Sequence, residues 1–396
     1  MHNCVFCGTQ TREFLDFGKV ALAGAFIKVA GIPGEMKYPL RITFCPECFA
    51  VQLADQVDAK TLFSEYFYFS SQINAVKAHF QKFARMLSQW FKHDTVLEIG
   101  CNDGFMLGLM ADDGAKCIGV DPARNVIESC KDERLTLIND FFTDDLAEKI
   151  VKEHGKQSVV LASNVFAHIP DIHSVTRGIK RVLADDGICV IEVHDLLKMV
   201  EGLQYDWIYH EHLYYYSALS LSTHLSAYGL DVFDIDEIPA HAGSVRYFVC
   251  HKFKRNPSSE VIKRIEKERQ HGLDQFATFE RFSERVKSHR DELKSVVDGI
   301  KAKGHAIRGY GASGRANTIL QWCGIDATHI SYILDDAPSK TGYRTPGTHI
   351  GIYPPGHERA TDISHTLILA WPYAEQIIPR VTGKKISVLP KVAVYD

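Results

Sequence analysis

Apolar residues at positions 76, 80, 83, 84, 87, 90 and 91 recur at the three-and-four spacing of one helical face, which predicts an amphipathic helix from 74 to 91. The pattern then switches to a strand, Thr95-Val96-Leu97-Glu98-Ile99. Further apolar runs follow at 117–120, 159–162 and 187–192, the last after a helical pattern from 171 to 183. Strands alternating with helices in this order predict an α/β fold built on a doubly wound sheet. Residues 230–238 and 245–252 read as an antiparallel pair closing that sheet. Residues 260–303 are strongly charged with helical spacing and predict two bridging helices whose charges form a solvated face. A second α/β unit opens at Ala306-Ile307-Arg308, with a helix through Trp322 and a strand ending at Leu334. Few strands are expected beyond it. At the other end Phe14, Leu15, Phe17, Leu22 and Phe26 alternate with polar residues and glycines, as short strands do. The expected divisions are 1–57, 58–254 and 255–396.

A length of 396 residues is too great for one ordinary core and agrees with two or three domains. A net charge of -4 offers no general attraction for nucleic acid or anionic membrane. No apolar run reaches about 18 residues and no signal peptide is evident, so a cytoplasmic protein is expected. The oligomeric state is left open, and a monomer is compatible with the sequence. Four of the ten cysteines form two close pairs, Cys4-Val5-Phe6-Cys7 and Cys45-Pro46-Glu47-Cys48. Two such knuckles predict a closed tetrahedral zinc shell of four thiolates, although the separation exceeds that of a usual zinc ribbon. A redox C-x-x-C needs only one pair and a βαβ setting, which is absent. With no fifth ligand in reach, the zinc is expected to be a staple and not a Lewis acid.

The strand ending at Ile99 runs into Gly100-Cys101-Asn102-Asp103-Gly104. An acidic residue, Glu98, followed by widely spaced glycines marks the first turn of a doubly wound sheet, where ligands bind beyond the strand ends. About twenty residues on, the second strand ends at Asp121-Pro122, placed to accept both hydroxyls of a ribose. Asn139-Asp140-Phe141-Phe142 supplies a polar group with an aromatic wall, as an adenine pocket requires. The fourth strand ends in Asn164-Val165-Phe166-Ala167-His168. Further along, Trp207-Ile208-Tyr209-His210-Glu211-His212-Leu213-Tyr214-Tyr215-Tyr216-Ser217 places two imidazoles, a carboxylate and four phenols within eleven residues. Such a density of proton donors and acceptors near neutral pH points to acid/base chemistry.

The motifs of residues 75–195 resemble a class I S-adenosylmethionine methyltransferase. The ordered set of both C-x-x-C pairs, Tyr66-Phe67-Tyr68-Phe69-Ser70-Ser71, the glycine turn, Asn164 to His168, the Tyr209–His212 stretch, His241-Ala242-Gly243-Ser244-Val245-Arg246 and Gly309-Tyr310-Gly311-Ala312-Ser313-Gly314 spans nearly the whole chain. Together it resembles the zinc-containing sugar C-3′-methyltransferases that act on nucleotide-linked 4-keto-6-deoxy sugars. The resemblance implies a catalytic set of His168, Tyr209, Glu211, His212 and Tyr68, with Tyr66 as the alternative tyrosine. It implies S-adenosylmethionine at Glu98, Gly100, Asn102, Asp103, Gly104, Asp121, Pro122, Asp140, Phe141 and Asn164. Cys4, Cys7, Cys45 and Cys48 would hold the zinc. Substrate contacts would come from His210, His241, Gly243, Ser244, Arg246, Gly311, Ser313 and Arg315. The family usually shows H-G-G-S where this chain has Ala242, a change that is tolerable unless the backbone there needs positive φ.

A sugar carbon becomes a nucleophile when an adjacent carbonyl acidifies its proton. With a 4-keto group, a base lifts the C-3 proton and leaves an enediolate with its charge on the C-4 oxygen. His212 oriented by Glu211 is the expected base, with His168 and His210 as rivals. Tyr209, His168 and Tyr68 are expected to donate to the oxyanion or the 3-hydroxyl. In the C-terminal unit, Gly309-x-Gly311-x-x-Gly314 followed by Asp335-Asp336 also fits a dinucleotide fingerprint. An NAD-dependent nucleotide-sugar oxidoreductase is therefore the main alternative, and a non-catalytic zinc adaptor the other. The same turn can equally cradle the diphosphate of a dTDP- or GDP-sugar. The sequence does not choose between these nucleotides.

Overall fold

The computed structural model describes residues 2–58, 61–62, 69–72, 74–90, 94–357 and 363–396; Tyr66 and Tyr68 lie outside these. Near the N-terminus, β1 (Arg12–Ala21), β2 (Lys37–Phe44) and β3 (Val51–Leu53) form an antiparallel meander. The central sheet contains β4 (Thr95–Ile99), β5 (Lys116–Val120), β6 (Thr136–Ile138), β7 (Gln157–Ser163) and β8 (Leu183–His194). A two-residue strand, β9 (Tyr214–Tyr215), leaves that region and pairs with β3 in the first sheet, Val51 opposite Tyr215. Then β10 (Leu230–Ile238) and β11 (Ser244–His251) return antiparallel to the central sheet, whose order is β10-β11-β8-β7-β4-β5-β6.

Alternation along the central strands explains why they are buried on both faces. Leu97, Val160 and Ile191 pack with the helices Asp144–His154 and Ile172–Val182, through Leu146, Ile150, Val175 and Ile179. Their neighbours Val96, Val159 and Val190 face the other way, against Phe83, Leu87, Met106 and Met110 of the helices Asn74–Trp90 and Phe105–Asp112. The predicted helix from 74 therefore sits on the outer layer of this sheet.

Two helices, Ser259–Gln270 and Phe276–Ala302, follow as the charge pattern predicts. Phe279 from the longer one stacks on Phe44 at 4.8 Å and meets Phe14 at 5.2 Å, so it carries the N-terminal sheet on its apolar side. The last sheet holds β12 (Ala306–Tyr310), β13 (Ile333–Leu334), β14 (Ile352–Tyr353), β15 (Ile363–Ile368), β16 (Lys384–Ser387) and β17 (Ala393–Tyr395), ordered β14-β13-β12-β15-β16-β17. All are parallel except β17. The expectation of few strands beyond Leu334 is thus corrected: four follow, and most are too short for periodicity to register. Gly311, in the turn after β12, has φ 94, and a Cβ there would lie 2.3 Å from Ala370 Cβ. That glycine is required by the packing of the turn.

Candidate functional site

At the carboxyl end of β4 three residues adopt left-handed backbone: Gly100 (φ 71), Asn102 (φ 52) and Gly104 (φ 75). A Cβ on Gly100 would fall 2.6 Å from Val165 Cγ2, so the loop after β7 closes onto a bare backbone. Asp121 ends β5. Its Oδ2 accepts from the Asn102 amide at 3.0 Å and its Oδ1 from the Ala123 amide at 2.8 Å. Each oxygen keeps a free lone pair, which suits the two hydroxyls of a ribose. Burial raises the pKa of this carboxyl. Beside it Asp103 Oδ2 accepts from the Ser71 amide at 3.0 Å, while Asp103 Oδ1 and Glu98 Oε2 are buried with no partner among the described residues. Burial, then the charges of Asp121 and Asp103, push Glu98 well above the usual carboxyl range. Unsatisfied acceptors beside negative charge are what a bound cation would relieve. Asp140 Oδ1 accepts from the Phe141 amide at 2.8 Å, and the Phe141 ring is exposed. Asn164 (φ 55) donates to Glu192 at 3.0 Å. Ribose acceptors, an aromatic wall and buried carboxylates together fit S-adenosylmethionine. Asp121→Ala is expected to weaken S-adenosylhomocysteine binding about 10- to 100-fold by calorimetry, since two charge-assisted bonds are lost.

A histidine cluster lies beyond the ends of β7 and β8. His168 ends the 3-10 turn Phe166–His168, and its ring meets His212 edge-on at 4.9 Å. His212 Nδ1 donates to the Trp207 carbonyl at 2.8 Å. This contact fixes the tautomer and leaves Nε2 with a lone pair. Tyr209 tilts over the same ring at 4.0 Å, and Trp207 stacks on it at 4.9 Å. Burial and the nearby His168 hold the His212 pKa well below 6.5, and burial brings His168 and His241 down to about 4. All three are neutral at pH 7.

The expectation that Glu211 orients His212 is corrected, because the Trp207 carbonyl does so. Glu211 turns the other way, where a Cβ on Gly24 would sit 2.7 Å from its Oε1, and burial raises its pKa to about 7. His210 Nε2 donates to the Pro39 carbonyl at 3.2 Å, which ties the ring to the N-terminal sheet, while its buried Nδ1 has no partner among the described residues.

The hairpin turn between β10 and β11 carries His241 (φ 56), Ala242 (φ 71) and Gly243 (φ 124). The backbone there does need positive φ, so Ala242 is strained. Ala242→Gly is expected to stabilise the protein by ~0.5–1 kcal/mol in urea denaturation, the left-handed penalty less the added chain entropy. Ser244 Oγ donates to the Ala240 carbonyl at 3.0 Å. Arg246 is committed to Glu192 at 2.7 Å and covers Phe83 at 3.9 Å, so its guanidinium is part of the core. Burial alone would raise the Glu192 pKa, but His79 and Arg246 bring it to about 2. Ser313 caps the helix Gly314–Cys323 by accepting from the Ala316 amide at 3.1 Å. Arg315 pairs with Asp206 at 2.8 Å, reaches the His241 carbonyl at 3.3 Å and lies 4.6 Å over Trp207, so it ties the C-terminal unit to the cluster.

Sequence reasoning missed His194, His79 and Asp206. His194 ends β8 and stacks on Trp207 at 4.1 Å. Its one signal was a position two residues beyond Glu192, on the same side of a strand end. His79 and Asp206 act through distant partners, Glu192 and Arg315, which no local pattern reveals.

The four sulfurs of Cys4, Cys7, Cys45 and Cys48 lie within 4.8 Å of one another, with Cys4–Cys48 and Cys7–Cys45 at 3.5 Å. Tetrahedral zinc with bonds of about 2.3 Å sets sulfurs about 3.8 Å apart, so the set fits a closed structural site. Among the described residues no other cluster of three or more His, Cys, Asp or Glu side chains brings its ligand atoms together. No helix among them is long and apolar enough to cross a membrane.

Three families match the chain. Residues 4–63 match a zinc binding domain, 71–235 a methyltransferase domain, and 239–386 the C-methyltransferase C-terminal domain. The C-methyltransferase NovU of Streptomyces niveus is 32% identical over 387 residues, covering 95% of this chain and 91% of its own. A ubiquinone biosynthesis O-methyltransferase of Glaesserella parasuis is 28% identical over 102 residues, covering 24% of this chain and 43% of its own. The crystal structure of the PH0226 protein of Pyrococcus horikoshii aligns at TM-score 0.38 and 15% identity, covering 47% of this chain and 95% of that one.

Proposed function

The chain belongs to the zinc-binding, S-adenosylmethionine-dependent C-methyltransferases, and on that premise we propose that it methylates C-3′ of a nucleotide-linked 4-keto-6-deoxy sugar. The observation that carries this reading is the hydrogen bond from His212 Nδ1 to the Trp207 carbonyl, 2.8 Å. It leaves a neutral, buried Nε2 among groups that can donate to an oxyanion.

When bound, S-adenosylmethionine supplies a methyl group on a sulfonium. His212 Nε2 takes the C-3 proton, the C–H electron pair forms the C-3=C-4 double bond, and the carbonyl π pair moves onto the C-4 oxygen. His168 and Tyr209, both against the His212 ring, are the candidates to donate to that oxygen, a contribution of about 2.7–4 kcal/mol for one well-placed donor. Tyr68 lies outside the described residues. The enediolate carbon would be positioned to receive that methyl group, and the proton on His212 would leave to solvent.

The glycine turn before the helix Gly314–Cys323 is the proposed seat of the diphosphate. Asp335, which would face the ribose of a dinucleotide, accepts from the Ala312 and Ala337 amides at 2.7 and 2.9 Å and pairs with Lys340 at 3.3 Å. An ammonium beside that acid supports a phosphate-holding turn over NAD. The test is mass spectrometry of dTDP- and GDP-linked 4-keto-6-deoxy sugars incubated with S-adenosylmethionine. One sugar should gain a single methyl at C-3′. Gain at another atom, or on none of the panel, defeats the reading.

A further inference from the structure

Among the described residues Trp207 Nε1 and both ring nitrogens of His194 have no hydrogen-bond partner, although only 9% of Trp207 is exposed. Burial holds the His194 pKa well below 6.5, and the Gly243 carbonyl only partly opposes that shift. By contrast the indole of Trp371 donates to Asp206 at 2.8 Å. Buried polar nitrogens are nearly always satisfied, by the protein, by water or by a ligand. Here three of them fall together beside the proposed base: Trp207 stacks on His194 at 4.1 Å and on His212 at 4.9 Å.

We propose that His194 and Trp207 form a substrate-holding pair that grips a sugar-ring hydroxyl, either on the reacting carbon or on the ring carbon beside it. The inference rests on the sugar-methylation reading and deepens it. The donor set selects the ligand class. A neutral imidazole offers one donor and one acceptor, and an indole offers one donor. A hydroxyl, which both gives and receives, matches that combination. A diphosphate would call on Arg315, whose guanidinium is already held by Asp206 at 2.8 Å. An ammonium group would find too few acceptors. The pair also stands where the turn at His241 and the end of β8 converge, with the His241 ring 6.0 Å from Trp207. A hydroxyl held there would fix the rotation of the sugar ring, and with it the direction of the C-3 proton relative to His212.

The test uses the full-length, zinc-loaded protein with dTDP-4-keto-6-deoxyglucose and its 2-deoxy counterpart, or the GDP-linked pair if the wild type prefers it. His194→Phe keeps a flat ring in the stack, and Trp207→Phe keeps both a ring and the backbone carbonyl that holds His212. Each should raise the sugar-nucleotide KM about 10- to 100-fold, more than it lowers kcat, and leave S-adenosylhomocysteine affinity as in the wild type. If the penalty vanishes on the 2-deoxy sugar, the 2-hydroxyl is the group held; if it persists, the 3-hydroxyl is. Wild-type KM in both variants, on a sugar that the wild type methylates, overturns the pair alone. So does an equal loss of methyl-donor affinity, or a loss of activity that only follows a lowered melting temperature. A wild type that methylates no sugar of the panel overturns the substrate reading and the pair together.

Discussion

His212→Ala is expected to slow methyl transfer by about 10²–10⁴-fold and to abolish exchange of the C-3 proton with deuterated solvent. The second measurement is the more telling, since it isolates proton removal from methyl transfer when the methyl donor is omitted. The reason for choosing His212 over His168 is the fixed tautomer. Its Nδ1 donates to the Trp207 carbonyl, so Nε2 is free to accept, and burial together with His168 keeps the ring neutral near pH 7. Tyr209→Phe removes a donor and leaves the base, so it should slow exchange by a smaller factor. If His212→Ala exchanges at the wild-type rate while His168→Ala does not, the base is His168. A further consequence concerns pH. Because burial lowers the His212 pKa, the ring stays neutral as pH falls through 6.5, so exchange should show no acid limb from this group there.

Cys45→Ser is expected to leave the protein insoluble or to lower its melting temperature by more than ~10 °C, with zinc content falling from about one per chain. Activity should fall with it, because the zinc knuckles support the proposed catalytic stretch directly. The Val5 carbonyl, between two cysteines, accepts from His173 Nε2 at 2.6 Å. Phe6 packs edge-on against Tyr214 at 4.9 Å and His224 at 5.0 Å. Tyr214 and Tyr215 form β9, which pairs with β3 and begins two residues after His212. Loss of the metal would therefore free both the sheet and the loop that it anchors. A Cys45→Ser protein with wild-type melting and turnover, or freshly purified wild type without zinc, would contradict a structural metal.

Local chemistry made much of this protein legible before any coordinates. Two C-x-x-C pairs suffice for a zinc shell because the ligands are thiolates on tight turns, and only the pairing across a sequence separation of 38 had to be supplied by β1, β2 and β3. The central strands could be read because double-sided burial demands unbroken apolar runs, and the glycines at 100 and 104 because a left-handed turn under Val165 excludes side chains. The strands after Leu334 were missed because two- to six-residue segments carry too few positions for a period to show. What a residue type offers was therefore readable; where it points was not. His210 and His212 are equivalent in any sequence pattern, yet one meets the Pro39 carbonyl and the other the His168 ring. Glu211 reads as the partner of His212 and instead faces Gly24, while Arg246 reads as a substrate contact and is locked to Glu192. The sequence by itself determined the zinc ligands, the glycine turn and the set of acid/base groups, since these follow from short-range spacing and chemistry. Only the tertiary structure decided which carbonyl each histidine meets and which charges are already neutralised, because packing sets the direction of a ring and the ion-pair partners come from strands remote along the chain.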